Sequence, residues 1–213
     1  MTRLLTIAVA TTTAALLLTG CGGGDSGSKG NDKIAGAGTE KSASASPTAS
    51  AAAGRPKISF PSDASNVFED QKTGDAAKDA VLADNALGVN SIDEAIFEGK
   101  TNTKALGFYN TGRALSSAIT YVQGYLDKSD TWAGTTRFFD HRVTLSGRNG
   151  AYVTYCSDES KSFLKDRKTG KAQHTPTTAD SYVLYHAKLA KNADGVWQTT
   201  DVVSNRGDKA CQP

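Results

Sequence analysis

Two histidines and an aspartate are the side chains of this chain best placed to move a proton. His141 and His186 fall within segments that read as strands, with Asp140 and Asp201 close to them in the pattern. An imidazole beside a carboxylate is the ordinary acid–base couple near neutral pH. His141 alternates with Phe139 and Val143, which would aim it at an apolar interior, and His186 shares a strand face with Tyr182 and Leu184. His141, His186 and Asp201 are therefore the catalytic candidates, set against the plainer expectation that strand histidines simply pack. His174 stands in a polar stretch and is expected in solvent. Two histidines without a suitably spaced third ligand make no metal site. Gly-x-Ser-x-Gly, His-Glu-x-x-His, a phosphate-binding glycine loop and Cys-x-x-Cys are all missing. No cofactor is implied.

The three cysteines divide into one and two. Cys21 follows Leu18-Thr19-Gly20, itself preceded by Arg3 and an apolar run from Leu4 to Leu18. A basic start, an apolar stretch, small residues and a cysteine form a secretory leader with a lipobox. The run of about 15 residues is short of the roughly 20 that span a bilayer. Residues 1–20 are expected to be removed and the Cys21 thiol acylated, leaving the protein lipid-anchored on the extracytoplasmic face of the cell membrane. Fatty acyl chains of the palmitate kind then make the bilayer its first partner. Cys156 and Cys211 remain, and outside the cytoplasm such a pair is expected to form a disulfide. Closing a loop of that length is worth on the order of 4 kcal/mol in the chain-entropy view. The competing reading of Cys156 is a catalytic thiol.

Residues 21–56 form a tether. From Gly22 to Pro56, 26 of 35 residues are Gly, Ala, Ser, Thr or Pro, and Ile34 is the one large apolar side chain. Such a segment buries too little to offset its ordering entropy. As a flexible chain it would reach roughly 30–35 Å. The formal net charge is +2, and losing Arg3 with the leader leaves +1. That balance provides no electrostatic footprint for nucleic acid.

Residues 57–213 carry the elements that must position the candidate groups. Ile58 to Pro61 reads as a short extended entry. Thr73 or Asp75 can cap a helix running to about Gly99, with Val81, Asn85, Gly88, Ile92, Ala95 and Ile96 on one stripe, Val81, Ile92 and Ile96 its strong members, and a bend or break near Gly88 and Asn90. A second helix starts after Thr111 and ends near Asp127, with Leu115, Ala118, Ile119, Val122, Tyr125 and Leu126 on one face. Strands follow: Thr135 to Ser146 turns at Gly147–Gly150 into Ala151 to Cys156, and Ser181 to Leu189 turns at Asn192–Gly195 into Val196 to Ser204. Ser157 to Thr177 reads as a polar excursion whose basic residues (Lys161, Lys165, Arg167, Lys168, Lys171) interleave with Asp158, Glu159 and Asp166. Trp197 should anchor the last strand, while Trp132, Phe138 and Tyr155 either pack the core or line a pocket. Helices first and antiparallel strands after make an α+β domain.

The layout Ala151-Tyr-Val-Thr-Tyr-Cys156-Ser-Asp158, Thr169-Gly170-Lys171, Asp194-Gly195-Val196-Trp197 and Cys211 resembles the secreted NTF2-like (SnoaL-like) lipoproteins of actinobacteria. The resemblance implies a cone: N-terminal helices packed on a curved antiparallel sheet, with a pocket at the wide end. It fixes no chemistry, since this fold hosts enzymes and binding domains alike. The sequence reading is a membrane-anchored, non-catalytic domain binding a small apolar ligand, a cell-wall component or an envelope protein. The alternative is a small isomerase- or hydrolase-type enzyme using a pocket His/Asp pair.

Overall fold

The computed structural model describes residues 54–213. The leader, Cys21 and the tether up to residue 53 lie outside the described residues. After an entry segment come β1 (Ala64–Phe68), α1 (Ala76–Glu98), α2 (Lys104–Tyr109) and α3 (Gly112–Asp127). The chain then runs through four long strands: β2 (Asp130–Ser146), β3 (Gly150–Asp166), β4 (Tyr182–Lys191) and β5 (Trp197–Arg206). The five strands form one sheet in the order β1-β2-β3-β4-β5. All neighbours are antiparallel except β1, which runs parallel to β2. Three helices on a curved sheet make the α+β domain that the sequence predicts.

Local chemistry explains the helix limits. The Asp75 carboxylate accepts the Ala77 and Lys78 N–H groups at 2.8 and 3.2 Å, satisfying donors that the first turn leaves free. Gly99 closes α1 at φ 68, a left-handed cap that glycine enters without strain. No basic residue stands in the last turn of α1. Arg167 supplies one from the end of the β3 segment, donating to the carbonyls of Ile96, Phe97 and Asp130. Gly88 and Asn90 do not break α1, which continues through both. A Cβ at position 88 would stand 3.3 Å from Thr199 Oγ1, so the glycine is there for close packing on β5. Thr111 does precede α3, but its side chain makes no cap, and its N–H donates to Thr199 O at 2.9 Å.

Three further departures from the sequence reading concern two strands and a short helix. β1 is parallel and lies outside any predicted element, and α2 is likewise unpredicted. β3 runs on to Asp166, so the first half of the polar excursion is strand, paired with Asp130–Phe138 of β2. Its polar residues occupy a strand because β2 and β3 stay paired well beyond the core. Gly134 permits this crossing: a Cβ there would fall 2.0 Å from Lys161 O.

Register shifts bend the sheet and change which residues face inward. They lie between Thr135 and Arg137, between Phe139 and Arg142, and between Lys188 and Leu189. Trp132, Thr136 and Phe138 are buried before the second shift, whereas His141, Val143 and Leu145 are the half-buried residues after it. Asp140, in left-handed backbone at φ 53, carries the extra residue. One slipped residue reverses every side chain beyond it.

Cys156 and Cys211 are disulfide-bonded with a Cα–Cα distance of 5.5 Å, which ties the C-terminal turn Lys209–Cys211 to β3. At the other end of the domain, Arg55 enters from the segment assigned to the tether. Its guanidinium forms a two-point ion pair with Asp84, with Nη2 to Oδ2 at 3.1 Å. Asp84 Oδ2 also accepts the Trp197 N–H at 2.8 Å, so one buried carboxylate joins the entry segment, α1 and β5. Removing one partner of such a pair leaves a charge buried and uncompensated. We expect Arg55→Ala to cost about 3 kcal/mol in urea denaturation, at the low end for buried pairs because Arg55 is partly exposed. A change under about 0.5 kcal/mol would put Arg55 among ordinary surface residues.

Candidate functional site

A cavity of about 360 Å³ opens between α1, α3 and the inner face of the sheet. Helix spacing builds one wall: Asn85, Gly88, Val89, Ile92 and Asp93 recur on one face of α1, and Ala114, Ala118, Tyr121 and Tyr125 on one face of α3. The sheet provides Trp132, Phe138, Tyr155, Tyr185 and Val202 opposite. The size falls in the range of small-ligand pockets, and the mixture of aromatic walls with a few polar groups is typical of them. Asn85, Asn110, Thr136 and Thr199 are the buried polar lining residues, whereas Tyr121 is 52% exposed and the Arg206 side chain 49%.

Asp93 is the chemical centre of this wall. Its Oδ2 accepts Asn66 Nδ2 at 2.7 Å, and its Oδ1 accepts the Trp132 indole N–H at 3.2 Å. Burial pushes its carboxyl up to about 7, and those two donors pull it only partly back. Near neutral pH it therefore exists in both forms, offering a proton in one and accepting a donor in the other. The second carboxylate, Glu159, is paired with Arg206 at 2.7 Å. Burial lifts the Tyr155 and Tyr185 phenols above the ordinary tyrosine range, so both remain neutral hydrogen-bonding groups. The two rings stack at 5.0 Å, and the Tyr121 and Tyr125 hydroxyls meet at 3.2 Å.

The sequence candidates do not assemble here. His141 stands after the Asp140 bulge, half-buried and stacked on Tyr155 at 5.5 Å, yet it does not line the cavity. Burial holds its imidazole down at about 4, so it is neutral at pH 7. His186 is exposed on the outer face of the sheet, with Nδ1 3.2 Å from Thr154 Oγ1. Asp201 is on that same outer face, because the shift at Lys188/Leu189 reverses β5 beyond Thr199, and it pairs with Arg113 at 3.0 Å. The expected interior pairing of His141 and His186 with Asp140 or Asp201 is thus not formed. His174 is exposed, as its polar setting suggested, and rests beside Phe163 at 4.3 Å. Trp132, Phe138 and Tyr155 are buried and also line the cavity, combining the two roles weighed for them. Among the described residues no group of three or more His, Cys, Asp or Glu is placed to hold a metal ion.

Asp93 was the residue that sequence reasoning passed over. Its signal was available: it shares the α1 stripe with Val89, Ile92 and Ile96, where a charged side chain has no apolar reason to be.

No protein-family model matches the chain, and no curated protein matches it. Among solved structures, it is similar to a ketosteroid isomerase-like protein from Erwinia carotovora atroseptica. That match has 13% identity over 57% of this chain and 92% of the other, with a TM-score of 0.36. It is also similar to the intermembrane space region of the chloroplast protein ARC6, at 12% identity over 61% and 95%, with a TM-score of 0.35. Likenesses this distant assign no activity.

Asp93 and His141, both half-buried, give opposite pH signatures. Between about pH 4 and 6.5 the unfolded chain has protonated histidine and ionised aspartate, whereas the folded chain has neutral His141 and protonated Asp93. His141 makes stability rise with pH in that window and Asp93 makes it fall. Relative to the parent, the slope of stability against pH should therefore turn more positive in Asp93→Asn and more negative in His141→Gln. Urea denaturation at a series of pH values reads both. Parallel curves for all three proteins would contradict the assignment.

Proposed function

We propose that this protein is a lipid-anchored, extracytoplasmic domain of the NTF2-like kind that binds a small, mainly apolar molecule in the α1/α3/sheet cavity and does not transform it. The observation that carries the reading is the cavity itself: an aromatic and aliphatic enclosure with Asp93 set among neutral phenols. The interior supports recognition better than chemistry because Glu159 is neutralised by Arg206 and no histidine reaches the wall. The anchor rests on the order of residues from Arg3 to Cys21, and the tether would let the domain sample space clear of the headgroups. Cell-wall components and envelope proteins remain alternative partners on the sequence reading, and nucleic acid is not proposed.

One observation favours a second reading, a small acid–base enzyme of isomerase type. A carboxyl poised at about 7 in a pocket is well matched to proton transfer. This version replaces the His/Asp pair by Asp93 alone.

Both parts are open to direct test. Binding of the neutral dye N-phenyl-1-naphthylamine to residues 54–213 should be saturable at one site and lost in Ala118→Phe, which fills the cavity. Dye binding unchanged by that substitution would contradict the cavity as the site. Asp93-dependent exchange of ketone α-protons with D2O would shift the conclusion to the enzyme. For the anchor, the Cys21→Ala protein should be acyl-free and depleted from the membrane fraction, and full retention would contradict lipidation.

A further inference from the structure

The deep end of the cavity has a polar signature of its own. Asn85 is 3% exposed and lines the cavity, yet its carboxamide has no hydrogen-bond partner among the described residues. Beside it, Asn110 Nδ2 donates to Ser91 Oγ at 3.0 Å and to Leu106 O at 3.1 Å, leaving its Oδ1 unmatched. The Thr199 hydroxyl also lines the cavity without a partner among the described residues. Gly88 lies against these groups: a Cβ there would stand 3.3 Å from Thr199 Oγ1 and 3.9 Å from Asn110 Oδ1. A buried amide left unpaired is costly, so such groups are kept where something pairs with them.

We propose that this end is a subsite for a neutral amide, a carboxamide or lactam at one end of the ligand. The inference rests on the ligand-binding reading above and gives that ligand a chemical class. An amide offers a donor and an acceptor side by side, as the Asn85 carboxamide does, so the two can meet at two points. With a primary carboxamide the Asn110 oxygen or the Thr199 hydroxyl then accepts the second N–H, which a lactam lacks. A carboxylate is disfavoured because the neighbouring Asp84 has its counter-charge in Arg55 and no cation lines this end. An ester accepts but cannot donate, and an apolar end leaves all three groups dry. Asn85 and Asp93 are eight residues apart on α1, about 12 Å at 1.5 Å per residue. A ligand seated on Asn85 therefore lays its apolar body along Val89, Ile92 and Phe138 and ends near Asp93.

The test uses the full-length chain and a matched probe set: 4-phenylbutanamide, methyl 4-phenylbutanoate and 4-phenylbutanoate, titrated by calorimetry. The amide should bind at least about tenfold more tightly than either analogue, the scale set by one unpaired buried polar group. Asn85→Leu should bring amide and ester within about twofold of each other by weakening the amide alone, and Thr199→Val, a near-isosteric change, should reduce the preference in part. Equal affinities in the parent, or a preference that survives both substitutions, would overturn the amide subsite while leaving the ligand-binding reading intact. Failure of all three probes to bind would overturn both.

Discussion

The hydrogen bonds of one carboxyl group hold the two layers of this domain in register. Asp93 projects from the middle of α1 and takes donors from β1 through Asn66 and from β2 through Trp132. Asn66 also reaches Asn90 of α1 at 2.9 Å, so the parallel edge strand is attached to the helix as well as to its neighbouring strand. Where these contacts place α1, the helix stands off the sheet far enough to leave a cavity, and that gap takes the carboxyl out of bulk water. Its raised proton affinity is a consequence of the same enclosure that makes room for a ligand. The packing that orders the fold and the chemistry of the site are therefore one arrangement.

The sheet determines what that enclosure contains. Without the shift at Asp140, the residues of β2 beyond it would present their other faces, and without the shift at Lys188/Leu189 Asp201 would turn inward in place of Val202. The β5 bulge puts Val202 on the cavity wall and leaves Asp201 on the outer surface, paired with Arg113. A cavity with several carboxylates would hydrate. This one has a single unpaired acid, with the other neutralised by Arg206.

Much of the scaffold was legible in the sequence. Of the two caps the sequence offered for α1, Thr73 and Asp75, the structure uses Asp75, and Gly99 closes the helix as expected; the two hairpin turns followed from Gly147–Gly150 and Asn192–Gly195, and the disulfide from Cys156 and Cys211. The face assignments were not. Alternation is a sound guide only while a strand stays in register, and nothing in Phe139-Asp140-His141 marks the extra residue, because Asp140 adopts left-handed backbone where glycine would have been the usual signal. β1 was missed for a different reason: a five-residue parallel edge strand is stabilised by partners 70 residues away, not by its own pattern. The site was half legible. Trp132, Phe138, Tyr155 and the stripe residue Asn85 were in view in the sequence, whereas Asp93, next to Ile92 on the same face, was not.

The most direct measurement is the titration of the Asp93 carboxyl carbon by NMR in protein labelled with 13C at aspartate, assigned through Asp93→Asn. The account predicts a midpoint near 7, far from the other aspartates, because the group stands in a low-dielectric enclosure with only two donors. A midpoint close to the ordinary value of about 4 would mean that water reaches this carboxyl freely, and the account of Asp93 as the sheltered acid of the cavity wall would be contradicted.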